Sequence, residues 1–182
     1  MLDLILKAFY LVLPAYLANM APPIFGRFGW LKSLNRPVDG GIKLGRDYLF
    51  GQTKTWRGIM AAVIFGLLTT GIQAWLYDFD FFRNLSLINY GQDFIWFGIL
   101  AGLGAILGDL VKSFFKRRLH LKSGDAWPIF DQLDFIAGFF LFTWYFVRPD
   151  WQIILTVCLM TLILHPLVNI IGYFLRFKKV WW

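Results

Sequence analysis

Residues 94–135 read FIWFGILAGLGAILGDLVKSFFKRRLHLKSGDAWPIFDQLDF, and the fold class turns on how this stretch divides. Its first part, 94–111, is apolar and close to the roughly 20 residues that a helix needs to cross a bilayer, yet it carries Asp109 near its end. From 112 to 127 the chain turns basic, with five Lys or Arg. A second apolar run, 135–147, is short in its purest part and reaches spanning length only by starting near 127–129. It then contains Asp131 and Asp134. Charges inside a spanning helix are costly and normally face a polar cavity walled by protein. The stretch therefore predicts two helices joined at a membrane surface by a basic loop, each bringing carboxylates to one place.

The rest of the chain agrees. Its 182 residues are 58% hydrophobic and only 16% charged, against about a quarter charged in a soluble domain, and its mean hydropathy is +0.59. The expectation is an all-α integral membrane protein of about five transmembrane helices, near residues 4–24, 58–77, 94–111, 135–147 and 151–174. The first carries Lys7 but no small-residue cleavage site, so it is expected to be retained rather than removed as a signal. Loop 25–57 holds seven Lys or Arg and loop 112–127 holds five, and three more follow residue 174, so fifteen of eighteen cations fall on one face. By the positive-inside rule that face is cytoplasmic, with the N-terminus outside and the C-terminus inside. Residues 1–182 then form a single polytopic membrane domain with cytoplasmic loops 25–57 and 112–127.

Composition also excludes some functions. The net charge of +7 arises with eleven acids that are all Asp. Its placement reports topology and anionic-lipid contact rather than nucleic acid. Cys158 is alone and reads as helix packing. Trp75, Tyr77, Trp96, Trp127, Trp144, Tyr145, Trp151, Trp181 and Trp182 cluster at helix ends as interfacial anchors rather than as a base-stacking platform. Gly98, Gly102, Gly104 and Gly108 give the third helix a small-residue stripe for close packing. No internal repeat, Ser–His–Asp set or Cys/His cluster is visible.

The chemistry-bearing residues lie in the two basic loops and the helix ends beside them. Lys112 and Lys116 share a helix face, with Asp109 a turn before them and Ser113 and Arg117 alongside. Such a set suits a metal and the phosphates it bridges, while a basic helix end snorkelling into headgroups is the plainer reading of Lys116, Arg117 and Arg118. Asp131 and Asp134 suit a shared divalent cation, or serve as N-terminal caps. The run Gly51-Gln-Thr-Lys-Thr-Trp-Arg-Gly58 has the composition of a phosphate loop without its spacing. Lys54, Thr55 and Arg57 before a helix N-terminus nonetheless make a phosphate cradle. His120 has no partner at ligand spacing. His165 and Asn169 fit either a satisfied polar pair at the Pro166 kink or the lining of a lipid-phosphate cavity. Cations and carboxylates together at a membrane surface suggest chemistry between a soluble phosphate compound and a lipid.

Gly108-Asp109-Leu-Val-Lys112-Ser113-Phe-Phe-Lys116-Arg117-Arg118, followed by Gly124, Pro128 and Asp131-Gln132-Leu133-Asp134-Phe135, resembles the signature of the CDP-archaeol synthases and, more loosely, that of bacterial CDP-diacylglycerol synthases. Asn19 with Pro22-Pro23, Pro37-Val-Asp39-Gly-Gly, Gly51-x-x-Lys54-Thr55-Trp56-Arg57-Gly58 and His165-Pro-Leu-Val-Asn169 extend the resemblance over nearly the whole chain. Lys122-Ser123 stands where the diacylglycerol signature has Lys-Asp, which favours the archaeol branch. The resemblance implies Mg²⁺-dependent transfer of CMP from CTP to a membrane lipid phosphate. It implies that Asp109, Asp131 and Asp134 are metal-linked acids. Lys112, Lys116, Arg117, Arg118, Lys54 and Arg57 would contact CTP or lipid phosphate. Asn19, Asp39, Thr55, Ser113 and Gln132 fall on motif positions expected to bind substrate. CTP, the lipid phosphate and the bilayer are the expected partners, with a homodimer as a way to close an open polar cavity.

Both reactants of such a transfer are anions, so cations aimed at the transition state do the catalysis, and an ionised phosphate monoester needs no general base. The Asp-Gly-x-x-Ala-Arg motif of CDP-alcohol phosphotransferases is absent. A small transporter or assembly factor with intramembrane aspartates is the alternative. It predicts substrate movement without CTP.

Overall fold

In hydrocarbon the backbone has no partner but itself, and long apolar runs become helices. A computed structural model describes residues 1–122 and 124–177. The helices are α1 (Leu2–Phe28), α2 (Trp56–Leu76), α3 (Asp80–Leu85), α4 (Tyr90–Arg118), α5 (Phe130–Thr143) and α6 (Trp151–Phe174). Between α1 and α2 lie a 3₁₀ turn, Lys32–Leu34, and a small antiparallel hairpin of β1 (Lys43–Leu44) and β2 (Asp47–Tyr48). The expectations for Ser123, Lys178, Lys179, Trp181 and Trp182 lie outside the described residues.

Among the described residues, four helices, α1, α2, α4 and α6, are long and apolar enough to cross a membrane. The 14 residues of α5 fall short of that measure. Even so, α5 runs antiparallel to most of α4. Its first turns meet Gly108 and its Phe139 ring packs 5.9 Å from Phe97, eleven positions nearer the start of α4. The chain thus passes through the bundle five times, once with a short helix. The shortening has a local cause. Pro128 disfavours helix in the residue before it, and Ile129 takes a left-handed conformation at φ 69°. The first turn of α5 is thereby set in beside α4. In turn, α4 continues to Arg118, so Lys112, Lys116, Arg117 and Arg118 are helical and the basic loop starts later than residue 112.

The small residues of α4 divide between two neighbours. A Cβ on Gly102 would stand 2.5 Å from the Ala62 carbonyl oxygen of α2, and one on Gly108 would stand 2.1 Å from the Asp134 carbonyl oxygen of α5. Only hydrogen fits at these crossings, and the backbones touch. Gly108 thereby fixes the distance between the turns that carry Asp109 and Asp134.

The other end of α4 is dry and aromatic. Tyr90, Phe97 and Phe139 are fully buried and meet edge to face, with ring centroids 5.8 and 5.9 Å apart. Polar groups here bond across helices, Thr70 Oγ1 donating to the Phe94 carbonyl at 2.8 Å and Gln73 Nε2 to that of Tyr10 at 2.6 Å. Tyr90 and Asp109 are separated along α4 by roughly 28 Å at 1.5 Å per residue.

Candidate active site

Loop 29–55 is held over the bundle by its own polar groups. The Asp39 carboxylate accepts the Gly41 N–H at 2.9 Å and the Phe50 N–H at 3.0 Å, and the Val38 N–H bonds the Lys54 carbonyl at 2.9 Å. Arg118 reaches from α4 to the carbonyls of Leu44 and Tyr48, at 2.8 and 3.0 Å. Thr55 caps α2, its hydroxyl accepting the Gly58 N–H at 3.3 Å. These bonds deliver Lys54 to Asp109, whose Oδ2 it bonds.

Around that pair the remaining charges converge. Lys112 Nζ lies 3.0 Å from Asp109 Oδ1, 3.0 Å from Asp131 Oδ1 and 2.7 Å from Asp134 Oδ2. Lys116 Nζ sits 3.0 and 3.1 Å from the two oxygens of Asp131 and also donates to the Asp125 carbonyl. The Trp127 N–H donates to Asp131 Oδ2 at 2.6 Å, and the Phe135 N–H to Asp134 Oδ1 at 2.7 Å. Three ammonium groups thus face three carboxylates, and the cluster is formally neutral. Neutrality is what allows it at this depth, because an uncompensated buried charge costs about 3–5 kcal/mol.

The cluster floors a cavity of about 280 Å³. Of the residues singled out from sequence, Asn19, Lys54, Thr55, Asp109, Lys112, Ser113, Lys116, Arg117, Asp131 and Asp134 line it, together with His165 and Asn169. Asp39, Arg57, Arg118 and Gln132 do not. Asp39 and Arg118 instead shape the loop that carries Lys54. Ser113 is engaged by its own helix, its hydroxyl donating to the Asp109 carbonyl at 2.8 Å. Arg117 bonds the Leu121 carbonyl through Nη1. Its buried Nε has no hydrogen-bond partner among the described residues. His120, read as partnerless, bonds Asp47 Oδ2 at 2.9 Å on the exposed surface.

Asp125 was missed as a site residue. Its carbonyl takes a bond from Lys116 while its Oδ2 accepts the Lys122 N–H at 2.6 Å, so it shapes the cavity mouth through its backbone. No sequence signal distinguishes such a residue from an ordinary loop aspartate. His165 and Asn169 were identifiable as one face of α6 by their i, i+4 spacing.

The donor set suits Mg²⁺, a hard cation that prefers carboxylate oxygen. Among the described residues no three acidic, His or Cys side chains close into a ready-made cage. Mg²⁺ normally takes one or two carboxylates and completes its shell with water and substrate phosphate. Asp109 and Asp134 lie within 3.0 Å of the same nitrogen, so they are close enough to share a cation, with Asp131 beside them.

Comparison with known proteins agrees with this geometry. A family model described as "CarS-like: CDP-archaeol synthase" matches residues 1–182. The CDP-archaeol synthase of Methanocaldococcus jannaschii is 36% identical over 184 residues, covering 98% of each chain. That of Methanosarcina acetivorans is 39% identical, covering 94% of this chain and 100% of the relative. A solved structure of an intramembrane enzyme for archaeal membrane lipid biosynthesis superposes with a TM-score of 0.72 at 28% identity, over 91% of this chain and 94% of that one.

Proposed function

Because the chain belongs to the CDP-archaeol synthase family, we propose that it transfers CMP from CTP to an archaeol-type diether glycerol phosphate, releasing pyrophosphate and leaving a CDP-lipid in the membrane. The observation that carries this reading is the neutral cluster of three lysines and three aspartates under one cavity, where the C-terminal part of α4 meets the first turns of α5.

The reaction follows from the charges. An oxygen of the lipid phosphate bonds the α-phosphorus of CTP, and the bond from that phosphorus to the bridging oxygen of the leaving pyrophosphate breaks. Nucleophile and electrophile are both anionic, so the barrier is largely electrostatic and falls when fixed cations face the equatorial and leaving oxygens. Lys54, Lys112 and Lys116 are positioned by their carboxylate partners to supply that field, and Arg117 lines the same cavity. Mg²⁺, held by Asp109, Asp131 and Asp134, would neutralise triphosphate charge when bound. The nucleophile is ionised near neutral pH, so none of these side chains has to remove a proton.

The site faces the cytosol on this reading, supported by the fifteen cations on that face, and the protein resides in a prokaryotic plasma membrane with its N-terminus outside. The test is pyrophosphate release by detergent-purified protein with Mg²⁺ and CTP. A diether prenyl glycerol phosphate and a diacyl phosphatidic acid would be offered in parallel, with ATP as the control nucleotide. Release that requires CTP, Mg²⁺ and the diether lipid is expected. No release across the panel, from protein shown to be folded, would return the transporter reading.

A further inference from the structure

The polar cavity has two unlike walls. Lys54, Lys112, Lys116 and Arg117 line one side, from α4 and the loop before α2, the three lysines paired with Asp109, Asp131 and Asp134. Asn19 of α1, with His165 and Asn169 of α6, lines a side without lysine, arginine or aspartate. These same three residues also line an apolar cavity of about 250 Å³ between α1, α5 and α6. They are therefore the seam at which a polar space becomes an apolar one. Asn169 is only 3% exposed, its amide nitrogen lies 3.4 Å from His165 Nδ1, and the His165 ring stacks on Phe135, the residue after Asp134. Tyr16 and Thr161, bonded at 2.7 Å, tie α1 to α6 beside this seam.

A larger apolar groove, about 690 Å³, runs between α4 and α5. Among the described residues its charged lining is Lys112 and Asp134, which pair with each other at 2.7 Å. A phosphate arriving by that route meets a lysine already matched by a carboxylate. At the seam the amides of Asn19 and Asn169 and the imidazole of His165 can donate to phosphate and ether oxygens.

We propose that Asn19, His165 and Asn169 seat the phosphoglycerol head of the lipid substrate, with a hydrocarbon chain running into the α1–α5–α6 cavity. This rests on the cytidylyl-transfer reading given above. It places the incoming lipid phosphate beside Asn19, His165 and Asn169 and the departing pyrophosphate beside Lys54, Lys112, Lys116 and Arg117. An in-line displacement needs nucleophile and leaving group on opposite sides of the phosphorus, and the two walls supply that separation.

Three variants separate the routes in steady-state kinetics on purified protein, with the diether lipid phosphate and CTP varied in turn. Leu13→Trp fills the α1–α5–α6 cavity, Ala137→Trp fills the α4–α5 groove, and Asn169→Leu removes a donor at the seam. The first and third are expected to raise the lipid KM roughly tenfold, the size of one lost buried hydrogen bond or its equivalent in contact. The CTP KM should stay near wild type in both, and calorimetric CTP binding shows that the variants are folded. Val168→Phe narrows the same cavity from α6, so the result does not hang on one variant. Ala137→Trp should leave the lipid KM unchanged. A lipid KM raised by Ala137→Trp alone, or a wild-type lipid KM in both Asn169→Leu and the cavity-filling variants, overturns the assignment. If wild-type protein releases no pyrophosphate with any lipid phosphate, the cytidylyl-transfer reading itself fails.

Discussion

The two ends of α4 solve opposite problems with the same neighbours. At Phe97 the helix meets α5 through fully buried rings. At Lys112 it meets α5 through ion pairs to Asp131 and Asp134 of 3.0 Å or less. The ring end gains from shape and dispersion and asks nothing of charge. The ionic end balances large desolvation costs against large attractions and contributes little net stability. Folding strength and chemistry are thus divided along one helix, and each end can be altered with a different signature.

Phe97→Ala is the severest test of the aromatic end. Loss of a fully buried phenyl ring should cost about 3–5 kcal/mol, read as a large fall in the melting temperature of the detergent-solubilised protein. Molecules that remain folded should keep their CTP affinity; a selective loss of CTP binding would break the division. Asp134→Asn is the counterpart at the ionic end. It should lower kcat by about 10²–10³-fold, the scale of removing one preorganised electrostatic group, and it should also lower the melting temperature, because one lysine charge is left in excess in the cluster. Near-normal turnover would remove Asp134 from the site.

Gly108→Ala probes the place where the two halves are joined. Its methyl would collide with the Asp134 carbonyl oxygen, and overpacking of this kind costs about 1–3 kcal/mol. Because the same contact spaces Asp109 from Asp134, stability and kcat should fall together with no change in the charge of the cluster. Asp39→Asn should have the smallest effect. Weakening its two backbone bonds should cost about 1 kcal/mol, seen as a CTP KM raised severalfold with unchanged lipid KM.

Much of this division was legible in the sequence, for identifiable reasons. Apolar length and the alternation of cations between loops report the number of passes directly, because both are set by the bilayer. The i, i+3 and i, i+4 spacings of Asp109, Lys112 and Lys116 place them on one face of any helix. Lys112 as the shared partner of three carboxylates was not legible, since that depends on the rotation of α5 against α4. The rotation is set by Gly104 and Gly108 meeting Gly138 and Asp134. The late start of α5 depends on the left-handed Ile129, a conformation unusual enough for a β-branched residue that sequence gives no warning of it. Asp39 and Arg118 carry the right chemistry for phosphate or metal and are spent on backbone groups instead, a choice made by a hairpin too short to announce itself.

The reach of Arg118 to Leu44 and Tyr48 spans 74 and 70 residues of sequence, and this has a consequence for how the chain is made. Synthesis proceeds at about 5–20 residues per second, so loop 29–55 leaves the ribosome several seconds before its clamp exists. For that interval α1 and α2 are in the membrane with their connecting segment unclamped and open to proteases. The first third of the protein is therefore completed by the second, and a nascent chain halted before Arg118 should be cut within that loop while the finished one is spared.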